Sequence, residues 1–293
     1  MPTQHPPIET ELFINGQSCK ASDGGTYAIH NPARPDELVG HAAAATVEDV
    51  KSAVQAAHAA FPAWAAKSYQ ERAEILRQVA DVLTEDQADV EYRSQLFCRE
   101  HGKILCETLL EISRLGERFR QSADYAERLA RDEYIEGPPF DTIITRQPRG
   151  VAALIVPWNW PLAILGAKLP QALMAGNTVV VKPSNNSALA PALTLHKIAA
   201  LLPPGVVNVL TGSSGLIGDP LVGHPRVRKV NFTGSVDIGR HVMKVAADNI
   251  TPVTLELGGN DAGLVLDDAG SMKPPSIAST WAPSCRRDRS AWR

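Results

Sequence analysis

Cysteine is scarce in this chain: four among 293 residues. Cys19, Cys98, Cys106 and Cys285 form no CxxC pair and no metal-ligand spacing. That excludes a disulfide framework and a thiolate metal centre, and a reducing, cytoplasmic setting is expected. All four read as free thiols, with Cys98 and Cys106 as helix-packing residues. An excess of basic charge is lacking too. Twenty-nine Lys and Arg against 32 Asp and Glu give a formal net charge of −3, so there is no electrostatic footprint for nucleic acid. No apolar run is long enough to span a bilayer, and no membrane partner is expected. The N-terminal Met-Pro-Thr-Gln-His-Pro-Pro has no charged segment followed by an apolar core, so it does not read as a secretory signal. Internal repeats and low-complexity segments are missing as well.

What remains is ordinary globular composition, 44% hydrophobic and 21% charged, enough for one large domain or two smaller ones. Residues 1–10 read as a loose tail. Leu12 to Gln17 reads as a strand entering an Asn-Gly turn, a hairpin signal. His30-Asn-Pro-Ala-Arg-Pro35 reads as a loop. Thr46 is placed to cap a helix that carries Glu48 and Asp49 in its first turn and stops at Pro62. Further helices are expected over Tyr69 to Leu83, Gln87 to His101 and about Cys106 to Ala130. The charges Glu107, Glu111, Arg114, Glu117, Arg118 and Arg120 read as a solvated face. Asp141 to Gln147 alternates β-branched and polar residues, as an exposed strand or pair of strands would, and is a candidate arm for pairing with another subunit.

From Val151 the rhythm becomes strand, helix, strand. Strands are expected at Val151 to Val156, Thr178 to Val181, Val206 to Leu210 and Val227 to Phe232. Helices are expected at Pro161 to Ala175, Ala188 to Leu202, Ser214 to Val222 and Ile238 to Ala247. Short runs at Val253 to Leu255 and Gly263 to Leu266 follow. Such alternation implies an α/β fold with a parallel sheet covered on both faces. Residues 270–293 have three prolines, two tryptophans and a basic end, without either period. They read as a tail outside the core, either a genuine disordered end or the product of another reading frame.

Chemistry concentrates where the expected strands end. Asn159 follows the first strand between Trp158 and Trp160. It reads either as a helix cap or as a neutral donor to a substrate oxygen. Lys182 ends the second strand, either as an exposed lysine or within reach of a nucleotide's ribose and phosphate. Gly234-Ser235 and Gly239 open a helix whose free N–H groups suit an anion, although Gly-Ser also serves as a plain turn. Glu256 ends an apolar strand before two glycines. It reads either as a salt-bridged or exposed carboxylate, or as a partly desolvated general base.

In order along the chain, Pro157-Trp-Asn-Trp-Pro161, Gly176-Asn-Thr-Val-Val-Val-Lys-Pro-Ser184, Gly205-Val-Val-Asn-Val-Leu-Thr-Gly212, Val230-Asn-Phe-Thr-Gly-Ser235 and Leu255-Glu-Leu-Gly-Gly-Asn260 closely resemble the aldehyde dehydrogenase superfamily. Phe13-Ile-Asn-Gly16, Asn31-Pro32, Trp64 and Arg72 also fit, and the resemblance spans about Leu12 to Ala269. It implies a Rossmann-like parallel sheet with N-terminal helices, a β arm over about 138–149 for homo-oligomers, and NAD or NADP as cofactor. A domain over 1–269 and only part of the family fold follow from it. By the resemblance, Ile155, Pro157, Trp158, Lys182, Ser184, Asn185, Gly215, Phe232, Gly234, Ser235, Gly239 and Leu257 meet the cofactor. Asn159 donates to the oxyanion of a thiolate adduct, and Glu256 activates the water that releases the acid. No metal is implied.

Two departures stand out. The family usually has Glu after Lys-Pro-Ser, and Asn185 stands here, which makes NADP more plausible than usual. The family's nucleophile lies in Gly-Gln-x-Cys a little beyond the base, and the chain reads as having no such motif. Cys285 falls near that region but in Pro-Ser-Cys-Arg-Arg. Aldehyde oxidation is therefore expected of the family, and impaired or absent in this chain. A non-catalytic dinucleotide-binding module and a non-functional frameshifted product are the alternatives.

Overall fold

A computed structural model describes residues 6–259, Ala262 and Leu264. In chain order it forms β1 (Ile8–Thr10), β2 (Leu12–Ile14), β3 (Gln17–Cys19), β4 (Thr26–Asn31), β5 (Arg34–Ala43), α1 (Val47–Ala65), α2 (Tyr69–Thr84), α3 (Gln87–His101), α4 (Leu105–Asp124), α5 (Ala126–Leu129), β6 (Glu133–Ile135) and β7 (Thr142–Ile144). Then come β8 (Val151–Ile155), α6 (Pro161–Gly166), α7 (Leu169–Met174), β9 (Thr178–Lys182), α8 (Leu189–Ala200), β10 (Val207–Val209), α9 (Ser214–Val222), β11 (Val227–Gly234), α10 (Val236–Ala247) and β12 (Val253–Leu257). No helix among the described residues is long and apolar enough to cross a membrane.

The Asn-Gly signal is realised in the β2–β3 hairpin. Asn15 and Gly16 both take positive φ, 52° and 81°, the conformation that a two-residue hairpin turn matched to strand twist requires. Residues 8–10 are not a loose tail: they pair in parallel with Gly40 to Ala42. The proline-rich stretch is a hairpin rather than a long loop, with only Pro32 and Ala33 between β4 and β5. Asn31 closes that turn by accepting the Ala33 N–H and donating to Glu37.

Thr46 caps α1 in a reciprocal capping box with Asp49. The helix runs through Pro62 to Ala65 instead of stopping there. The carbonyl that proline leaves without a donor belongs to exposed His58, while buried Trp64 pins the last turn by donating to the Leu173 carbonyl at 3.2 Å. Arg72 on α2 donates to the Met174 carbonyl at 3.0 Å. Trp64 and Arg72 together fasten the first two helices to the turn that feeds β9. α3 ends as expected, at Gly102 with φ 79°. The long fourth helix breaks at Tyr125, and the expected Pro161 helix is two short helices parted at Ala167 and Lys168. β6 and β7 pair antiparallel in a ribbon of exposed residues.

The main sheet has seven strands in the order β12-β11-β8-β9-β10-β2-β3. The five from β12 to β10 are parallel, and the β2–β3 hairpin is added antiparallel on β10. Every residue of β8, β9 and β10 is buried, as strands covered on both faces should be. The chain builds outward from β8 to β9 and β10, then returns to place β11 on the other side of β8. The strand order therefore reverses between β8 and β11. Open α/β sheets bind ligands at the carboxyl ends of their strands at such a point.

Candidate active site

At that reversal an open cleft of ≈ 320 Å³ is lined by Ile155, Val156, Pro157, Lys182, Ser184, Ser214, Phe232, Thr233 and Gly234. Lys182 forms its floor. It is not a surface lysine: 1% of it is exposed, and burial pushes its pKa down to about 7. Its Nζ donates to the Pro183 carbonyl at 3.2 Å and to Asn185 Oδ1 at 3.5 Å, with no carboxylate in its ion-pair range among the described residues. Ser184 and Asn185 are half-exposed beside it, and Ser184 Oγ accepts the Asn186 N–H.

On the opposite wall β11 runs into α10. Ser235 is the N-cap residue, yet its side chain makes no capping bond, which leaves the first N–H groups of a twelve-residue helix unclaimed by side chains. The buried Thr233 Oγ1 has no hydrogen-bond partner either among the described residues. A side chain at Gly234 would place Cβ 2.5 Å from the Phe232 ring, and at Gly239 2.6 Å from Leu257. Glycine at these two positions lets the helix start close against the strands. Gly215, in the first turn of α9, is exposed next to Ser214. A buried ammonium, an unpaired hydroxyl and a helix start with free N–H groups are a donor set for an anionic ligand, and a dinucleotide's ribose and pyrophosphate fit it.

Asn159 stands just past the end of β8, in a half-exposed turn with Trp158 and Trp160. Its Oδ1 accepts the Trp160 N–H at 3.0 Å, so its amide nitrogen remains as a donor. The capping alternative fails. Trp160 is the N-cap of α6, and the Leu162 and Ala163 N–H groups donate to Glu111 Oε2, each at 3.0 Å. Glu111 is fully buried, a correction to its reading as part of a solvated face. Burial raises its pKa, against the lowering effect of Lys103, whose Nζ lies 2.5 Å from Oε1. The signal was present in the spacing: Thr108, Glu111, Ile112 and Leu115 occupy one buried helical stripe. Glu100 was missed in the same way. It is buried at the end of α3 and accepts the Leu189 and Ala190 N–H groups at 2.7 and 2.8 Å, at the start of α8.

Glu256 is exposed, not partly desolvated. β12 is the sheet's edge strand among the described residues, and Gly258 and Gly259 beyond it carry no side chains to cover the carboxylate. Its charge is felt by Lys168, whose Nζ donates to Asn231 Oδ1 at 2.7 Å. In register, Glu256 and Leu257 lie beside Thr233 and Gly234, so the cleft wall and the carboxylate share one edge. Of the cysteines, Cys106 is exposed rather than packed, and Cys98 Sγ sits 3.4 Å from Thr108 Oγ1. The reading that the chain has no Gly-Gln-x-Cys is corrected: the letters occur once, at Gly16-Gln17-Ser18-Cys19, in the β2–β3 hairpin and not beyond Glu256. β3 lies at the far edge of the sheet from β12, six strand spacings or roughly 29 Å away. Burial raises the Cys19 pKa, so its environment does not favour the thiolate. Cys285, the Gly263 to Leu266 run as a whole and the stretch 270–293 lie outside the described residues.

A family model described as "Aldehyde dehydrogenase family" matches residues 19–275. The succinate-semialdehyde dehydrogenase [NADP(+)] of Escherichia coli is 40% identical over 263 residues, 88% of this chain and 53% of that protein. The glutarate-semialdehyde dehydrogenase of Pseudomonas putida is 39% identical over 264 residues, 88% of this chain and 54% of its own. Among solved structures, a point mutant of the Staphylococcus aureus betaine aldehyde dehydrogenase in complex with NAD+ superposes with a TM-score of 0.80 at 31% identity. The match covers 85% of this chain and 50% of that one. The chain thus spans about half the length of the relatives it matches.

Proposed function

We propose that this chain, which belongs to the aldehyde dehydrogenase family, binds NAD or NADP in the cleft between β8 and β11 and carries the cofactor-binding part of an aldehyde-oxidising site. The observation that carries the reading is Lys182, an ammonium buried at the carboxyl end of a parallel strand with only weak partners of its own. Lys182, Ser184 and Asn185 would hold the ribose, and a neutral Asn185 admits a 2′-phosphate where a carboxylate would repel it. Ser235, Gly234, Gly239 and the first N–H groups of α10 would take the pyrophosphate, with Gly215 on the α9 side. Ile155, Pro157, Trp158, Phe232 and Leu257 would supply the apolar surface along it.

The bound cofactor supplies the hydride acceptor for aldehyde oxidation. For the rest, Asn159 offers a neutral N–H donor where negative charge would develop on a carbonyl oxygen. Glu256 is accessible to water, as a general base must be. Because no Gly-Gln-x-Cys follows Glu256, the 293 residues themselves are expected to bind cofactor without turning over aldehyde. The reading divides the chain into a cofactor domain over 1–269 and a separate stretch after it.

Calorimetric titration with NAD+ and NADP+ tests this. Saturable binding of at least one is expected. Lys182→Met should weaken it about tenfold to a hundredfold, the equivalent of one lost charge-assisted hydrogen bond. If the unsubstituted, folded chain takes up neither, the reading is wrong.

A further inference from the structure

The turn that carries Asn159 is held from outside by three side chains that cofactor and substrate do not need to touch. His101 Nε2–H donates to the Trp158 carbonyl at 2.9 Å. Lys103 Nζ donates to the next carbonyl, of Asn159, at 2.6 Å, and stands 3.7 Å over the Trp160 ring. Glu111 pairs with Lys103 through Oε1 and accepts the Leu162 and Ala163 N–H groups through Oε2. The Lys103 and Glu111 side chains are 5% and 0% exposed. The pair therefore grips both ends of the segment, the Asn159 carbonyl before Trp160-Pro161 and the two amides after it.

A buried ion pair is a poor means to stability, since apolar residues of the same volume usually do as well or better. What an apolar pair lacks is a donor for the Asn159 carbonyl and an acceptor for the amides of α6. A donor aimed at an oxyanion has to be held within about half an ångström of its working position. Among the described residues, backbone bonds tie the turn at its two ends, Val156 N–H to the Lys182 carbonyl and Ile164 N–H to the Trp160 carbonyl.

We propose that Lys103 and Glu111, assisted by His101, are positioning residues that fix the backbone of the Asn159 turn and so aim the Asn159 amide. The catalytic meaning of this rests on the reading of Asn159 as the oxyanion donor; the mechanical claim does not. Lys103→Met alone would leave Glu111 charged and unpaired, so a loss of folding there would say little. The informative variant is Lys103→Met with Glu111→Gln. It removes both charges, keeps an acceptor for the Leu162 and Ala163 amides, and takes the donor away from the Asn159 carbonyl.

Amide hydrogen exchange of the full chain, followed by peptide, reads the result. In the double variant, exchange in the peptide spanning 156–164 is expected to quicken about tenfold or more while β8, β9 and α8 keep their protection. Lys103→Arg, which retains the charge and the reach, should restore the loop to about twofold of the original rate. Unchanged exchange in the loop overturns the proposal. So does a general loss of protection, which would make the pair a support of the whole core. Cofactor titration of the unsubstituted chain judges the functional reading separately: if it fails there, the exchange result still stands or falls alone.

Discussion

Lys182 concentrates the chemistry in one side chain. Its place at a strand's carboxyl end was legible, because an apolar run ending in Lys-Pro can be read locally. Its burial was not, because the cover comes from the neighbouring strands of the sheet. Burial lowers its pKa to about 7, so the unliganded protein loses the ammonium as pH rises through that value. An anionic ligand favours the protonated form, which sets its pKa higher in the complex. Affinity for NAD+, which carries no group titrating nearby, should therefore fall as pH rises above about 7, by at most tenfold per unit. Titrations between about pH 6 and about pH 9 check this, and Lys182→Met should flatten the dependence. Without ligand, the same shift makes the fold gain stability with rising pH through this window, because the unfolded chain keeps the proton longer.

Helices α6 and α8 share a construction. Each starts just after the turn that follows a parallel strand of the main sheet, and neither has a side-chain cap of its own. Buried carboxylates on α4 and α3, Glu111 and Glu100, supply the missing acceptors. The element types and most boundaries were readable from periodicity and punctuation, as the exact match of α3 and α9 shows. These caps were not, since local patterns place Glu by the face of its own helix and say nothing of what packs there. Glu100→Ala should strand two buried N–H groups and cost about 2–4 kcal/mol. Urea unfolding of the variant against the parent chain measures it. A change under about 0.5 kcal/mol would mean that water replaces the carboxylate.

The molecule as a whole presents an apolar ribbon to solvent. Tyr134, Ile135, Phe140, Ile143 and Ile144 are exposed on and between β6 and β7. Side chains of this kind in a row on a two-stranded edge invite pairing. Sedimentation should show concentration-dependent self-association, reduced by Ile143→Lys with Phe140→Ser; a monomer at every concentration would remove the arm from consideration. Composition, the two periods and the strand-end motifs were enough to read an α/β fold, the order of its elements and most of the segments that line the cleft. These features are local: a period of two or 3.6 and a broken strand are complete within a few residues. Folding alone decided which charges are inside. Glu100 meets its amides across 89 and 90 residues, and Glu111 across 51 and 52. Among the described residues Glu256 lies on one edge strand of the sheet, and Gly16-Gln17-Ser18-Cys19 stands at the opposite edge. The desolvation and pairing that set each of these groups' behaviour come from strands and helices far away in the chain, and no local pattern carries that information.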